Sequence, residues 1–148
     1  MNVRRPMLFA MLAASMLALA AACGSDDPTA TPTTGAATVN VTLAEWSVAA
    51  SPASANAGSV TFAAKNNGLQ EHELVIVKTD LAPDALTVVS GKVDEAASGV
   101  LIGEIEPDEL QAGQSASAPF ELTAGKYVLI CNITGHYGLG MRTGFTVN

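Results

Sequence analysis

The chain has 148 residues, a formal charge of −7 and 14% charged residues, a length that suits one domain of ordinary size. Without Arg4 and Arg5, which precede the expected domain, five Lys/Arg face fourteen Asp/Glu and the formal charge is −9. Such a surface excludes nucleic-acid binding, which demands a basic face; it serves solubility and would suit a cationic partner.

In chain order, Arg4 and Arg5 form a positive start, and Met7 to Ala22 is an unbroken apolar run that ends in small residues. The run is shorter than the ~20 residues that span a bilayer, so residues 1–22 read as a secretory signal peptide. Cys23 follows at once. The stretch "LAAAC" resembles the lipobox of bacterial lipoproteins, with Ala20 where Leu, Val or Ile is usual. That resemblance implies lipidation of Cys23 and an extracytoplasmic domain, periplasmic or on the outer face, anchored to the cell membrane. The alternative, an uncleaved signal anchor, also leaves the domain outside the cytoplasm. Residues 23–38 are rich in Thr, Pro, Gly and Ala, offer no apolar period and read as a flexible tether. The domain proper is expected over 39–148.

There the apolar period is two. "VNVTLAEW" puts Val39, Val41 and Leu43 on one face, and "SVTF" does the same for Val60 and Phe62. "ELVIVK" is continuously apolar, as in a central strand buried on both faces. "VLIGEI", "SAPFEL", "KYVLIC" and "TGFTV" complete the set, with Pro119 marking an edge strand. Ala-Gly precedes three of these strands, at Gly58, Gly113 and Gly125, as a turn signal. The pattern predicts an all-β sandwich or barrel. Thr79 to Gly99 departs from it and reads as an irregular excursion with one short helix, whose first turn is expected at Pro83-Asp84-Ala85-Leu86.

The metal-binding residue types are unevenly placed. Four of five Met lie in the signal, which leaves Met141. The two His are His72 and His136, and Cys131 is the one Cys beyond Cys23. With Cys23 lipidated, Cys131 has no disulfide partner in an oxidising compartment, and a bound metal would protect it. A single buried Cys, Met or His is usually packing. All four in two segments, three of them spaced Cys-x4-His-x4-Met, are hard to assign to packing. Two imidazoles, a thiolate and a thioether select copper, and His2Cys with a weak axial Met is the blue-copper arrangement. Zinc would want four strong ligands. "KYVLIC" alternates, so Cys131 points inward at a strand end, and Gly135, Gly138 and Gly140 let the following loop turn back around the same point.

Two motifs, Asn66-x-Gly68-x3-His72 and "YVLICNITGHYGLGM", resemble those of the cupredoxins. The loop is most similar to the sulfocyanin, auracyanin and rusticyanin group. The resemblance covers about Val39 to Asn148. It implies an eight-stranded Greek-key sandwich and one copper, Cu(I)/Cu(II), on His72, Cys131, His136 and Met141. Many cupredoxins have Asn or Ser directly after the first His. Here Glu73 stands there, expected either to face solvent or to bond to the copper loop at Asn132; Asn66, Glu73 and Asn132 are the candidates for supporting the ligands. A binuclear copper site would need a second loop Cys, and catalytic copper would need further His.

The expected function is electron transfer between redox partners, not enzymatic catalysis. A protein that stores, delivers or senses copper is the alternative. The partners expected are redox proteins such as cytochromes or a terminal oxidase, met by a monomer. Leu69, Tyr137 and Leu139 are the docking candidates, over a His136 nearer the surface than His72. Trp46 is expected as core or rim packing, and Glu104, Glu106, Asp108 and Glu109 as a solvated acidic face.

Overall fold

The structure is a computed structural model that describes residues 36–148. The expected signal peptide, Cys23 and nearly all of the tether lie outside the described residues. The strands are β1 (Ala37–Ala44), β2 (Ser47–Ser51), β3 (Ser54–Ala55), β4 (Gly58–Asn66), β5 (Leu74–Lys78), β6 (Val88–Val89), β7 (Lys92–Val93), β8 (Val100–Ile105), β9 (Ser115–Leu122), β10 (Gly125–Ile130) and β11 (Arg142–Val147). Two one-turn helices, α1 (Glu95–Ser98) and α2 (His136–Leu139), interrupt them. Eight strands have five residues or more, which matches the eight-stranded expectation; β3, β6 and β7 are two-residue additions.

A four-stranded sheet runs β2-β1-β4-β9 and a five-stranded sheet runs β3-β11-β10-β5-β8. β1 lies parallel to β4, whereas β10 is antiparallel to both β5 and β11. The period-two pattern holds. Val39, Val41, Leu43, Val60 and Phe62 from one sheet meet Leu74, Ile76, Leu129 and Phe145 from the other in the main core. β9 is an edge strand, as Pro119 requires. Gly58, Gly113 and Gly125 all have positive φ (123°, 78° and 145°) at the turns that their Ala-Gly pairs announced. The Tyr127 hydroxyl donates to the Thr123 carbonyl (2.6 Å) and accepts from the Thr123 amide (3.1 Å), which ties down the turn into β10.

β5 is buried on both faces because the excursion covers its outer side. Val75, Val77, Val128 and Ile130 form a second core with Leu86, Val93 and Tyr137. The expected helix at residues 83–86 does not form. One turn closes there, from the Ala85 amide to the Ala82 carbonyl (2.9 Å). The Leu86 amide then donates to the Tyr137 hydroxyl (3.0 Å) instead of continuing a helix. The helix of this region is α1, where the Asp94 carboxylate caps the Ala97 amide (3.0 Å) and Gly99 ends the turn.

Candidate metal centre

The inward face of β10 carries Tyr127 and Leu129 into the main core, and Cys131 continues that face just past the strand end. The chain then closes a compact loop. The His136 amide donates to Ile133 (2.9 Å), the Met141 amide to His136 (3.1 Å) and the Cys131 amide to Met141 (3.1 Å). That last bond draws the two ends together and seats Met141, fully buried, in the same core as Cys131. Gly135 (φ 89°) and Gly140 (φ 123°) bracket α2 in a left-handed backbone region that favours glycine. Gly138 needs no such angle, contrary to expectation, because it lies inside the helical turn.

His72 arrives from the other side. Asn66, at the end of β4, is fully buried and satisfied. Its Oδ1 accepts from the Gly68 amide (2.8 Å), and its Nδ2 donates to the carbonyls of Gln70 (2.7 Å) and Leu110 (2.8 Å). The His72 amide donates to the Leu110 carbonyl (3.2 Å). Asn66 therefore shapes the segment that delivers the histidine to the head of β5.

The result is a convergence of donors. Nδ1 of His72 lies 3.8 Å from Cys131 Sγ, and Nδ1 of His136 lies 3.3 Å from it. The two rings meet edge to face at 5.2 Å. Such separations are spanned by one ion with first-row metal bonds of about 2.0–2.3 Å. His72 is 0% and His136 6% exposed, so His72 is the deeper ligand, as expected. Burial lowers the proton affinity of both rings, and the His136 charge adds to this at His72, so both favour the neutral form that ligates metals. Burial pushes the Cys131 thiol up to about 11, and the Glu73 amide at 3.5 Å from Sγ works in the opposite direction. A cation is thus needed to hold Cys131 as thiolate, and binding one would release the proton. Soft sulfur, two neutral imidazoles and a thioether, buried together, fit one copper ion.

The supporting residues divide. Glu73 is buried rather than turned to solvent, and burial raises its proton affinity while Lys92 and the Asn132 backbone oppose that. The Asn132 side chain is used elsewhere. Its Oδ1 accepts from the Val93 amide (2.6 Å), and its Nδ2 donates to the Val93 carbonyl (3.1 Å) and to Glu95 (2.8 Å). It ties the copper loop to β7 and α1 because the excursion folds over the sheet at that point. Tyr137, expected on a docking surface, is only 4% exposed. Its hydroxyl donates to the Pro83 carbonyl (2.9 Å), and its ring packs in the second core against Arg142. Leu69 (91%) and Leu139 (57%) are exposed as expected. Trp46 is rim packing, edge-on to His136 at 5.1 Å. Glu45 escaped the sequence reading. Its Oε1 sits 3.5 Å from His72 Nε2, and no local pattern in the turn between β1 and β2 announces that contact.

Residues 37–148 match the family described as "Sulfocyanin (SoxE) domain". No curated protein sequence matches the chain. Among solved structures, auracyanin A from Chloroflexus aurantiacus is 26% identical with a TM-score of 0.55, over 77% of this chain and 100% of that one. Auracyanin from Roseiflexus castenholzii (23%, TM-score 0.53, 77% and 99% covered) and reduced rusticyanin (18%, 0.50, 75% and 78%) share the fold. With the donors gathered as described, the chain belongs to the sulfocyanin family of blue copper cupredoxins, and His72, Cys131, His136 and Met141 form its single copper site.

Proposed function

We propose that this protein is a membrane-tethered, extracytoplasmic carrier of single electrons. Copper, when bound, supplies a reversible one-electron Cu(II)/Cu(I) couple. The chain's part is to keep the donor set fixed and dry. One observation carries the reading: all four ligand residues are at most 6% exposed and are set in hydrogen-bonded or core-packed backbone. Storage or delivery needs ligands that open to exchange metal, whereas a carrier needs ligands that stay in place. The supporting test is a visible spectrum of the copper-loaded protein through repeated reduction and reoxidation. An intense thiolate charge-transfer band that returns with no metal lost is expected. Copper released on reduction would favour delivery.

The docking face of this reading is the exposed apolar surface made by Leu69 and Leu139, with Trp46 in the place first expected for Tyr137. Trp46 lies on His136, Leu69 bonds through its amide to Glu45 of the same turn, and Leu139 ends the helical turn that His136 begins. Small interfaces suffice for weak redox encounters. Redox proteins such as cytochromes or a terminal oxidase would dock there, oriented by the acidic surface around it. Leu139→Lys should slow electron transfer to the partner severalfold and leave the spectrum nearly unchanged. Rates that ignore this substitution would place docking elsewhere. The tether of the proposal is a lipid on Cys23, and metabolic labelling with a radioactive fatty acid that is lost in Cys23→Ser is its test.

A further inference from the structure

Both histidine ligands touch one two-residue turn. Glu45 and Trp46 join β1 to β2; Trp46 lies edge-on to His136, and Glu45 reaches His72. His72 Nε2, on the side of the ring away from Cys131, is fully buried and has no hydrogen-bond partner among the described residues. A buried N–H left without an acceptor is unfavourable, so the carboxylate beside it is informative. Glu45 Oε1 stands 3.5 Å from that nitrogen. The same oxygen accepts the amides of Leu69 and Gln70, each at 2.8 Å. Gly68 lets the carboxylate lie flat on the backbone, since a Cβ there would come within 2.6 Å of Oε1. Three residues of the His72 segment thus hold the carboxylate in place, with its Oε1 3.5 Å from the ligand's far nitrogen.

We propose that Glu45 is a positioning residue of the metal centre. Its carboxylate accepts the Nε2–H of His72 and so fixes the tautomer that leaves Nδ1 bare and turned toward Cys131 before metal arrives. Metal-ligating histidines nearly always donate their second N–H to a carboxylate, carbonyl or water. The identity of the ion rests on the copper reading above. The hydrogen bond does not, because it belongs to the metal-free chain.

The test begins with the metal-free protein. Long-range nitrogen–proton NMR should find His72 as the Nε2–H tautomer, and an Nδ1–H tautomer in the wild type would overturn the proposal. Glu45→Ala removes the acceptor. Gly68→Ala pushes the carboxylate aside by contact with its end alone, at the expense of its bonds to the Leu69 and Gln70 amides. Both variants should give mixed His72 tautomers and, in competition with a chelator, bind Cu(II) about 10–100-fold more weakly. Glu45→Gln keeps an oxygen acceptor and should resemble the wild type in both measurements. Alanine variants that retain the wild-type tautomer and affinity refute the proposal. A Glu45→Gln variant as weak as Glu45→Ala also refutes it, in favour of a purely electrostatic effect. Absence of the charge-transfer band in copper-loaded wild type would sink the copper reading alone and leave the tautomer result standing.

Discussion

The two segments that supply the copper ligands are held by opposite means. Residues 131–141 carry three ligands and close a backbone ring on themselves, amide to carbonyl, from Cys131 to Met141, while Asn132, Gly135 and Tyr137 bond outward to the excursion. Residues 66–72 carry one ligand and are held largely by groups distant in sequence: the Leu110 carbonyl on one side and the Glu45 carboxylate on the other. The first is a local object whose shape depends on backbone angles. The second is assembled from side chains that the sandwich brings together. They should therefore fail differently, the first through its glycines and the second through its polar side chains.

The largest effect should come from the one group the two segments share. Cys131 Sγ faces both imidazoles and the Glu73 amide. Cys131→Ser should abolish the charge-transfer band of the copper-loaded protein, because a hydroxyl is a hard and poorly acidic substitute for thiolate. Persistence of an intense band would remove Cys131 from the ligand set.

Next come the glycines of the local loop, which separate backbone angle from contact. Gly140 has φ 123°, and a Cβ there would stand 2.9 Å from the Trp46 carbonyl oxygen. Gly135 has φ 89° and open space around its Cβ direction. Gly140→Ala should cost about 3 kcal/mol of unfolding free energy, and Gly135→Ala about 1–2 kcal/mol. Denaturant unfolding of the metal-free variants measures both. Equal losses would show that contact with the β1–β2 turn adds nothing.

The last test sharpens the contrast most. Asn66→Ala deletes three hydrogen bonds of the distant segment and should cost about 1–3 kcal/mol. Amide hydrogen exchange should quicken at residues 68–72 and stay slow at 135–141. An equal rise in both segments would mean that they are one cooperative unit.

This contrast also explains what could be read in advance. Strand faces, the edge role of Pro119, the turns at Gly58, Gly113 and Gly125 and the ligand quartet were legible because each depends on period, backbone permission or donor chemistry, all written in contiguous residues. The helix expected at residues 83–86 failed because the Tyr137 hydroxyl, remote in sequence, captures the Leu86 amide. Tyr137 failed as a docking residue for the same reason, since its hydroxyl and ring are spent on the excursion.

The sequence by itself determined the sandwich, the metal and the residues that bind it, because side-chain period and ligand softness do not depend on what lies across the fold. Only the tertiary structure decided which groups support those ligands. Asn132 spent its side chain on β7 and α1 and met Glu73 through its backbone alone, Trp46 came to lie on His136, and Glu45 reached the far nitrogen of His72. Each of these pairings joins residues far apart in the chain, and such pairs leave no spacing to read until the sheets have packed.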